Sequence, residues 1–330
     1  MSEARDAPFL VAAVQTAPVF LDRAATVEKA CSLIAEAGAR GARLVAFPEG
    51  FIPAYPFWVW FIPAGNTQAL RELYSELLDN AVAIPSAATD RLCAAARAAG
   101  VTVAVGINEI NTEASGTTLY NSLLYIGADG RILGCHRKLV PTAGERLVHA
   151  QGDGSTLAVY DLPIGRLGGL VCWENYMPLA RYALYAWGVE IYVAPTWDRG
   201  EPWLSTLRHI AKEGRMYVLG CCSAVRRSDI PDRFPFKAKF LPDTEWINPG
   251  DSAIVDPDGK FLVEPVRHRE EILYAEVDPR NLRGPRWQLD VAGHYGRPDV
   301  FQLTVHREAR PMVRVEPPPE APLLPPDPSA

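Results

Sequence analysis

Apolar stretches of strand length alternate with amphipathic stretches of helix length along almost the whole chain, and this alternation limits the fold more than any other feature. The strand patterns are continuous apolar runs, whereas apolar residues recur every three or four positions in the helix patterns. In the first third of the chain, strands are predicted at residues 9–20, 42–51 and 101–110, and helices at residues 24–41, 67–82 and 87–99. Strands that alternate with helices are typical of an α/β protein.

The rest of the chain repeats this alternation and adds two hairpins. Ala-Asp-Gly-Arg at residues 128–131 and Pro-Asp-Gly-Lys at residues 257–260 are strong turn sequences between apolar strands. Further strands are predicted at residues 157–162, 167–174, 189–197, 216–225 and 252–266, and further helices at residues 178–188 and 203–215. Because the strands outnumber the helices, the pattern predicts two sheets with helices outside them.

No linker rich in proline, glycine or serine divides the chain, so we expect a single domain over residues 1–308. The remaining residues, 309–330, are predicted to be a proline-rich, disordered tail. Residues 311–330 contain eight prolines and cannot form a core of their own.

Composition and cysteine usage argue against several functional classes. The net charge of −6 and the lack of a basic tract argue against a nucleic-acid binder. No apolar run has the length that a membrane span needs, and the apolar stretch near the N-terminus is too short for a signal peptide, so we expect a cytoplasmic protein. The six cysteines form no CxxC pair, and no metal-binding or phosphate-binding motif occurs, so we expect neither a metal nor another cofactor.

Three short stretches each carry a reactive polar side chain where an apolar strand is predicted to end. "FPEGFIPAYP" contains Glu49, "HRKLVPTAGER" contains Lys138 and Glu145, and "GGLVCWENYMPLAR" contains Cys172. Loops at strand ends are where α/β proteins collect catalytic groups, because the sheet holds such loops rigidly. Taken one at a time, these residues have simpler interpretations as a turn glutamate, a surface lysine and a buried cysteine.

Together, the three stretches resemble the nitrilase superfamily, whose members carry a Glu–Lys–Cys triad. The resemblance continues in the same order through "APTWD" (194–198), "GDSAIVDPDGK" (250–260) and "DVAGHYGRPDVFQL" (290–303) and covers residues 8 to 305. It implies a four-layer α-β-β-α sandwich, in agreement with the prediction of two sheets. It also implies a homo-oligomer built from twofold dimers, which many members extend into larger spirals.

The resemblance implies a catalytic role for each reactive residue. Cys172 would attack a nitrile carbon and form a thioimidate, and Glu49 would act as the general base towards the thiol and then towards water. Lys138, helped by the backbone N–H of Trp173, would stabilise negative charge on the intermediate, and Glu145 would hold the lysine in place. We expect the nearby lysine and the base to favour the thiolate form of Cys172.

The residues that follow the cysteine favour nitrile hydrolysis over the other reactions of the superfamily. Cys-Trp-Glu-Asn at residues 172–175 is the form found in the nitrilase branch, whereas the sister branches usually have Tyr-Asp or a similar pair. We therefore predict a nitrile and water as substrates, with a carboxylic acid and ammonia as products. An amidase or a cyanide-converting enzyme of the same superfamily is the alternative. The signature of a papain-like hydrolase is absent from the sequence around the cysteine.

Aromatic residues near the triad are predicted to form the walls of the substrate pocket. Tyr55, Trp173 and Trp197 are the predicted substrate-binding residues, since apolar walls suit a nitrile that carries a hydrocarbon group. The sequence does not choose among aromatic, arylacetic and aliphatic nitriles. Further aromatic residues occur between residues 280 and 305, and this C-terminal arm is predicted to cross to a partner subunit.

Overall fold

The structure is a computed structural model that describes residues 7–311 and residue 313. The strands are β1 (Phe9–Gln15), β2 (Ala42–Ala46), β3 (Thr102–Ile110), β4 (Leu119–Ile126), β5 (Ile132–Arg137), β6 (Val159–Leu162), β7 (Gly165–Gly169), β8 (Ile191–Thr196), β9 (Tyr217–Cys222), β10 (Ala224–Arg226), β11 (Trp246–Val255), β12 (Phe261–Arg267) and β13 (Glu271–Val277). The α-helices are α1 (Arg23–Ala39), α2 (Thr67–Asp79), α3 (Ala87–Ala99), α4 (Pro178–Ala186), α5 (Glu201–Gly214) and α6 (Arg283–Gln288).

These strands form two sheets. The first sheet has the strand order β13-β1-β2-β3-β4-β5, in which β1, β2 and β3 run parallel and the other pairs are antiparallel. The second sheet has the order β10-β11-β9-β8-β7-β6, and β12 pairs with β11. In the second sheet β7, β8 and β9 run parallel. The C-terminal ends of the parallel strands therefore supply loops to one edge of each sheet.

The two sheets face each other, and helices cover their outer faces. Leu44 in β2 and Leu123 in β4 share one fully buried cluster with Val193 in β8 and Leu219 in β9, so side chains from both sheets form the central core. A second cluster joins α1 and α3 to the first sheet, and a third joins α4 and α5 to the second sheet. The predicted α-β-β-α sandwich is confirmed.

Strand β13 was not predicted from the sequence. It pairs with β1 over seven residues and lies at the edge of the first sheet, with alternating exposed and buried side chains. Several boundaries also differ from the prediction, and helix α6 was not predicted. β1 ends at Gln15, and β7 ends at Gly169, so Cys172 begins a 3-10 turn (Cys172–Tyr176) three residues beyond the strand.

The C-terminal arm lies partly on the chain that carries it. Leu303 and Val305 are partly buried against the cluster formed by α4, α5 and the second sheet. Trp287, Tyr295 and Phe301 remain 80%, 62% and 78% exposed. Most of the predicted tail, residue 312 and residues 314–330, lies outside the described residues. Within the described part, no helix combines the length and the apolar character that crossing a membrane requires.

Candidate active site

Glu49 lies on a turn that follows β2 and is pressed against β3. A Cβ atom at Gly106 in β3 would lie 2.2 Å from the Pro48 carbonyl oxygen and 2.6 Å from the Gly50 nitrogen, so only glycine allows the turn to come this close. Asn108, two residues further along β3, donates from its side-chain amide to three carbonyls of the same loop, at 3.0–3.3 Å. β3 thus fixes the backbone around Glu49.

The Glu49 carboxylate is 1% exposed and accepts three hydrogen bonds. Oε1 accepts from Lys138 Nζ at 2.9 Å and from Asn121 Nδ2 at 2.7 Å. Oε2 accepts from the backbone N–H of Trp197 at 2.7 Å. Burial raises the pKa of Glu49, the Lys138 ammonium opposes this shift, and the negative charge of Glu145 adds to it. A carboxyl with a raised pKa is a stronger base than an exposed one.

Lys138 directly follows β5 and is almost completely buried between two carboxylates. Its backbone N–H donates to the Asn121 carbonyl at 2.8 Å, which continues the pairing of β5 with β4. Its Nζ donates to Glu49 and also to both oxygens of Glu145, at 3.0 and 2.8 Å. Burial alone would lower the pKa of Lys138, but the charges of Glu49 and Glu145 and the Glu145 hydrogen bonds raise it, so the lysine stays an ammonium ion.

Glu145 lies in a short 3-10 helix (Ala143–Leu147) and is fully buried. Besides Lys138, its oxygens accept from the Tyr55 hydroxyl at 2.7 Å and from the Thr142 N–H at 3.1 Å. Burial favours the neutral acid, but the interactions with Lys138 and His149 and the hydrogen bonds from Lys138 and Tyr55 outweigh it and lower the pKa of Glu145. Glu145 is therefore a permanent anion beside the lysine.

Cys172 is the first residue of its 3-10 turn and has a φ of +52°. This left-handed conformation is uncommon for a residue other than glycine, and such strain concentrates at functional sites. The Asn175 side-chain amide donates to the Cys172 carbonyl at 2.8 Å, and the Thr196 hydroxyl at the end of β8 donates to Cys172 Sγ at 3.3 Å. The sulfur is thus held against the same strand end that holds Glu49 Oε2.

The surroundings of Cys172 favour the protonated thiol, contrary to the expectation that the nearby lysine favours the thiolate. Burial and the negative charge of Glu49 raise the pKa of Cys172, and together with Glu145 they outweigh the opposing effect of Lys138. The two carboxylates carry more negative charge than the single lysine can balance. The site therefore has to remove the thiol proton during the attack, rather than store a thiolate beforehand.

A buried pair between Glu174 and His136 joins the cysteine turn to the lysine segment. The Glu174 carboxylate contacts His136 Nε2 at 3.1 Å and accepts from the backbone N–H groups of Leu139 and Val171, both at 2.7 Å. The sequence prediction missed Glu174, although its position two residues after Cys172 is a usable signal. His136 also contacts the Thr156 hydroxyl through Nδ1 at 3.4 Å.

The three predicted substrate-binding residues lie in different environments. The Tyr55 and Trp197 rings stack with centroids 5.0 Å apart, and Phe57 stacks on Trp197 at the same separation. Tyr55 also donates to Glu145, and the Trp197 backbone donates to Glu49, so each residue contacts one of the two buried carboxylates. The Trp173 side chain is 51% exposed and donates from Nε1 to Asp198 at 2.8 Å. Its ring therefore lies at the surface.

The site combines a thiol, a base and a cation, which is sufficient for nucleophilic attack on a carbon bound to nitrogen. Among the described residues, no three His, Cys, Asp or Glu side chains are grouped so that they could hold a metal ion. Two polar residues that the sequence prediction missed contact the reactive atoms directly, Asn121 and Thr196. Thr196 is the last residue of the apolar strand β8, and Asn121 lies beside Ser122 in the otherwise mainly apolar strand β4, so neither gave a signal in the sequence.

Comparison with known proteins places this site in a family. Residues 10–286 match the carbon-nitrogen hydrolase family. The chain is 42% identical to an aliphatic nitrilase of Sinorhizobium fredii (strain HH103), over 92% of this chain and 97% of that protein. It is 41% identical to a bifunctional nitrilase/nitrile hydratase of Lupinus angustifolius, over 92% of this chain and 88% of that protein. Among solved structures, a Saccharomyces cerevisiae protein from branch 10 of the nitrilase superfamily has a TM-score of 0.69 at 23% identity and covers 89% of this chain and 98% of its own.

Proposed function

The chain belongs to the carbon-nitrogen hydrolase family and within it to the nitrilases, and we propose that it hydrolyses an organic nitrile to the carboxylic acid and ammonia with Cys172 as the nucleophile. One observation carries the assignment of residues. Glu49 and Lys138 form a buried ion pair at 2.9 Å. Thr196 donates its hydroxyl to Cys172 Sγ, and the next residue, Trp197, donates its backbone N–H to Glu49. A thiol, a base and an ammonium group are thus available to one substrate carbon.

The first half of the reaction would form a thioimidate. Glu49 takes the proton from the Cys172 thiol while the sulfur bonds to the nitrile carbon, and one π electron pair of the C≡N bond moves to nitrogen. Lys138 stabilises the developing negative charge on that nitrogen, and Glu49 returns the proton to it. The product of this half is R–C(=NH)–S–Cys172, with the same atoms as the nitrile and the thiol together.

The second half would use two water molecules. Glu49 activates the first water, which adds to the thioimidate carbon and gives a tetrahedral intermediate that carries both OH and NH2. Loss of ammonia leaves a thioester on Cys172, and the second water hydrolyses it to the carboxylic acid and the free thiol. If the tetrahedral intermediate instead loses the thiol, the product is the amide.

An amidase or a cyanide-converting enzyme is the second candidate, because the same three groups can attack an amide carbonyl or hydrogen cyanide. The identities favour the nitrile reaction. The aliphatic nitrilase of Sinorhizobium fredii and Nitrilase 1 of Arabidopsis thaliana are 42% and 40% identical to this chain, over 92% and 91% of its length.

A cytoplasmic location is also part of the proposal. A free thiol nucleophile suits a reducing compartment such as the cytoplasm.

The assembly is proposed to be a homo-oligomer built from twofold dimers, and larger spiral assemblies are an extension of this proposal. Its support is the surface of the C-terminal arm, where Trp287, Tyr295 and Phe301 are mostly exposed to solvent in a single chain. Burial of such side chains against another chain is favourable. Truncation after residue 308 should preserve assembly, whereas truncation before residue 285 should abolish it. Light scattering on both truncated chains tests this, and an active monomer lacking residues 285–330 would contradict it.

The reaction is tested with a panel of paired nitriles and amides, in which acid, amide and ammonia are measured together. We expect acid and ammonia in equal amounts from at least one nitrile, with slower or no turnover of the matching amide. Activity should survive treatment with a chelator, because the proposed mechanism uses no metal. Turnover of amides but not of nitriles would replace the proposal with the amidase alternative.

A further inference from the structure

The hydrogen bonds around Glu49 distinguish its two carboxylate oxygens. Oε1 accepts from both Lys138 and Asn121, whereas Oε2 accepts only from the Trp197 N–H within the described part of the chain. A carboxylate oxygen has two acceptor positions. Oε1 is therefore fully used, and Oε2 has one position left for a proton that arrives from the thiol or from water.

Oε2 and the nucleophilic sulfur are held by consecutive residues. Trp197 donates its backbone N–H to Oε2, and Thr196 donates its hydroxyl to Cys172 Sγ. Two consecutive residues at the end of β8 therefore position the open oxygen of the base and the sulfur. This arrangement favours Oε2 over Oε1 as the oxygen that accepts the Sγ proton.

Asn121 in β4 contacts both Glu49 and Lys138. Its side-chain Nδ2 donates to Glu49 Oε1, and its backbone carbonyl accepts from the Lys138 N–H. The residue is 1% exposed, and its Oδ1 is buried without a hydrogen-bond partner among the described residues. The opposite amide orientation would place Oδ1 against a carboxylate oxygen. The amide is thus oriented to donate to Glu49 Oε1, and its own oxygen is left without a partner in that orientation among the described residues.

We propose that Asn121 is a positioning residue for the nitrilase reaction: its amide occupies Oε1 of Glu49 and leaves Oε2 as the oxygen that receives the proton from Cys172 and later from water. This inference rests on the proposed function. In the first step the Sγ–H bond breaks, an Oε2–H bond forms, and the sulfur electron pair bonds to the nitrile carbon. The Asn121 hydrogen bond also stabilises the ionised form of Glu49, in opposition to the effect of burial.

The loss of this hydrogen bond should change the ionisation of Glu49 without a change in any charged neighbour. The ionisable side chains that interact with Glu49, directly or through Glu145, are Lys138, Glu145, Cys172, Tyr55 and His149. All of them are retained when Asn121 is replaced. Because a neutral donor to the carboxylate is lost, the pKa of Glu49 should rise, and a higher pH should be needed to keep it a base.

The test compares Asn121→Leu, which has a similar size and no donor, with Asn121→Asp, which is isosteric. We expect the acid limb of the kcat/KM profile to move up by about one pH unit in Asn121→Leu, so that activity below the limb falls about tenfold and recovers at higher pH. Asn121→Asp should move it further, because a second acid then lies beside Glu49. Ser122→Ala is the control, since it removes a buried hydrogen bond to Glu109 from the next residue of β4 and should leave the limb in place.

The rate at which iodoacetamide alkylates Cys172 provides a second readout that needs no nitrile, and its pH profile should shift in the same way. An acid limb at the wild-type pH in both folded variants would overturn the proposal. If Asn121→Leu does not fold by circular dichroism, Asn121→Asp decides, and failure of both to fold would overturn it in favour of a structural role. If the wild type alkylates with the expected pH dependence but converts no nitrile, only the proposed function has failed.

Discussion

Glu49 and Glu145 are two buried carboxylates that share one lysine, yet their surroundings give them opposite properties. Glu49 accepts from the Asn121 amide and the Trp197 N–H, and burial raises its pKa. Glu145 accepts from the Tyr55 hydroxyl and the Thr142 N–H, and interactions with Lys138, His149 and Tyr55 lower its pKa despite burial. Two acids whose environments separate their pKa values in this way are suited to different roles.

The comparison supports the proposal that Glu49 is the base and Glu145 a fixed anion, rather than two equivalent acids. The lysine makes a single contact with Glu49 and contacts both oxygens of Glu145, so it is anchored mainly to the latter. Glu49 has an open oxygen and can exchange a proton, whereas Glu145 holds the ammonium group in place. The predictions that follow test this division of roles.

The largest expected effect separates the two carboxylates directly. Glu49→Gln should lower kcat by about a thousandfold, because the amide cannot accept the thiol proton. Glu145→Gln should lower kcat by roughly ten- to a hundredfold, since Lys138 keeps its contact with Glu49 but loses its main anchor.

The pH profile of Glu145→Gln gives this comparison a second, independent readout. The charge of Glu145 raises the pKa of Glu49, so its removal should move the acid limb of kcat/KM to lower pH. Equal losses of kcat in the two variants, or an acid limb that rises in Glu145→Gln, would show that the carboxylates do not have separate roles.

The next effect concerns the support of the Glu49 turn by β3. Gly106→Ala should destabilise the protein by about 1–3 kcal/mol, because its Cβ would lie 2.2 Å from the Pro48 carbonyl oxygen. It should also lower kcat by about a hundredfold, because the turn and its base are displaced. Thermal unfolding and steady-state kinetics measure the two effects.

Gly65→Ala is the matched control for this change, since no heavy atom lies within 4 Å of the Cβ that it would add. It should leave both stability and kcat near the wild-type values. A Gly106→Ala variant as active and as stable as Gly65→Ala would mean that the turn has room to move and that β3 does not fix the base.

A smaller effect is expected on the Glu145 side. Tyr55→Phe removes one hydrogen bond to Glu145 and keeps the ring that stacks on Trp197, so kcat should fall about tenfold with little change in KM. Tyr274→Phe is the control, because its hydroxyl is buried without a hydrogen-bond partner among the described residues. If Tyr55→Phe instead raised KM and left kcat unchanged, the hydroxyl would contact substrate rather than support Glu145.

The sequence was sufficient to predict the sandwich and to single out four candidate reactive residues, because each depends on a local pattern. Apolar runs mark the central strands, and Glu49, Lys138 and Cys172 each lie within an extended motif. β13 was missed, since it pairs with β1 across more than 250 residues and its alternation is short. Asn121 and Thr196 were missed because a polar residue in a mainly apolar strand acquires its partner only when distant loops come together.

The ionisation of the site could not be predicted from the motifs. A cation near a thiol suggests a thiolate, and the sequence indicates that Lys138 is that cation. The protonated state of Cys172 depends on how deeply the sulfur is buried and on the two carboxylates that share the lysine. Both depend on packing between the sheets, which residue spacing does not determine.

The central claim is that Cys172 carries the substrate during turnover. The most direct measurement is mass spectrometry of an acid-quenched reaction with a nitrile, followed by proteolysis and mapping of the modified peptide. We predict an added mass equal to the acyl or imidoyl group on the peptide that contains Cys172, in the wild type and in Cys93→Ala but not in the inactive Cys172→Ala. A substrate adduct on a different cysteine, or continued turnover by Cys172→Ala, would contradict the account.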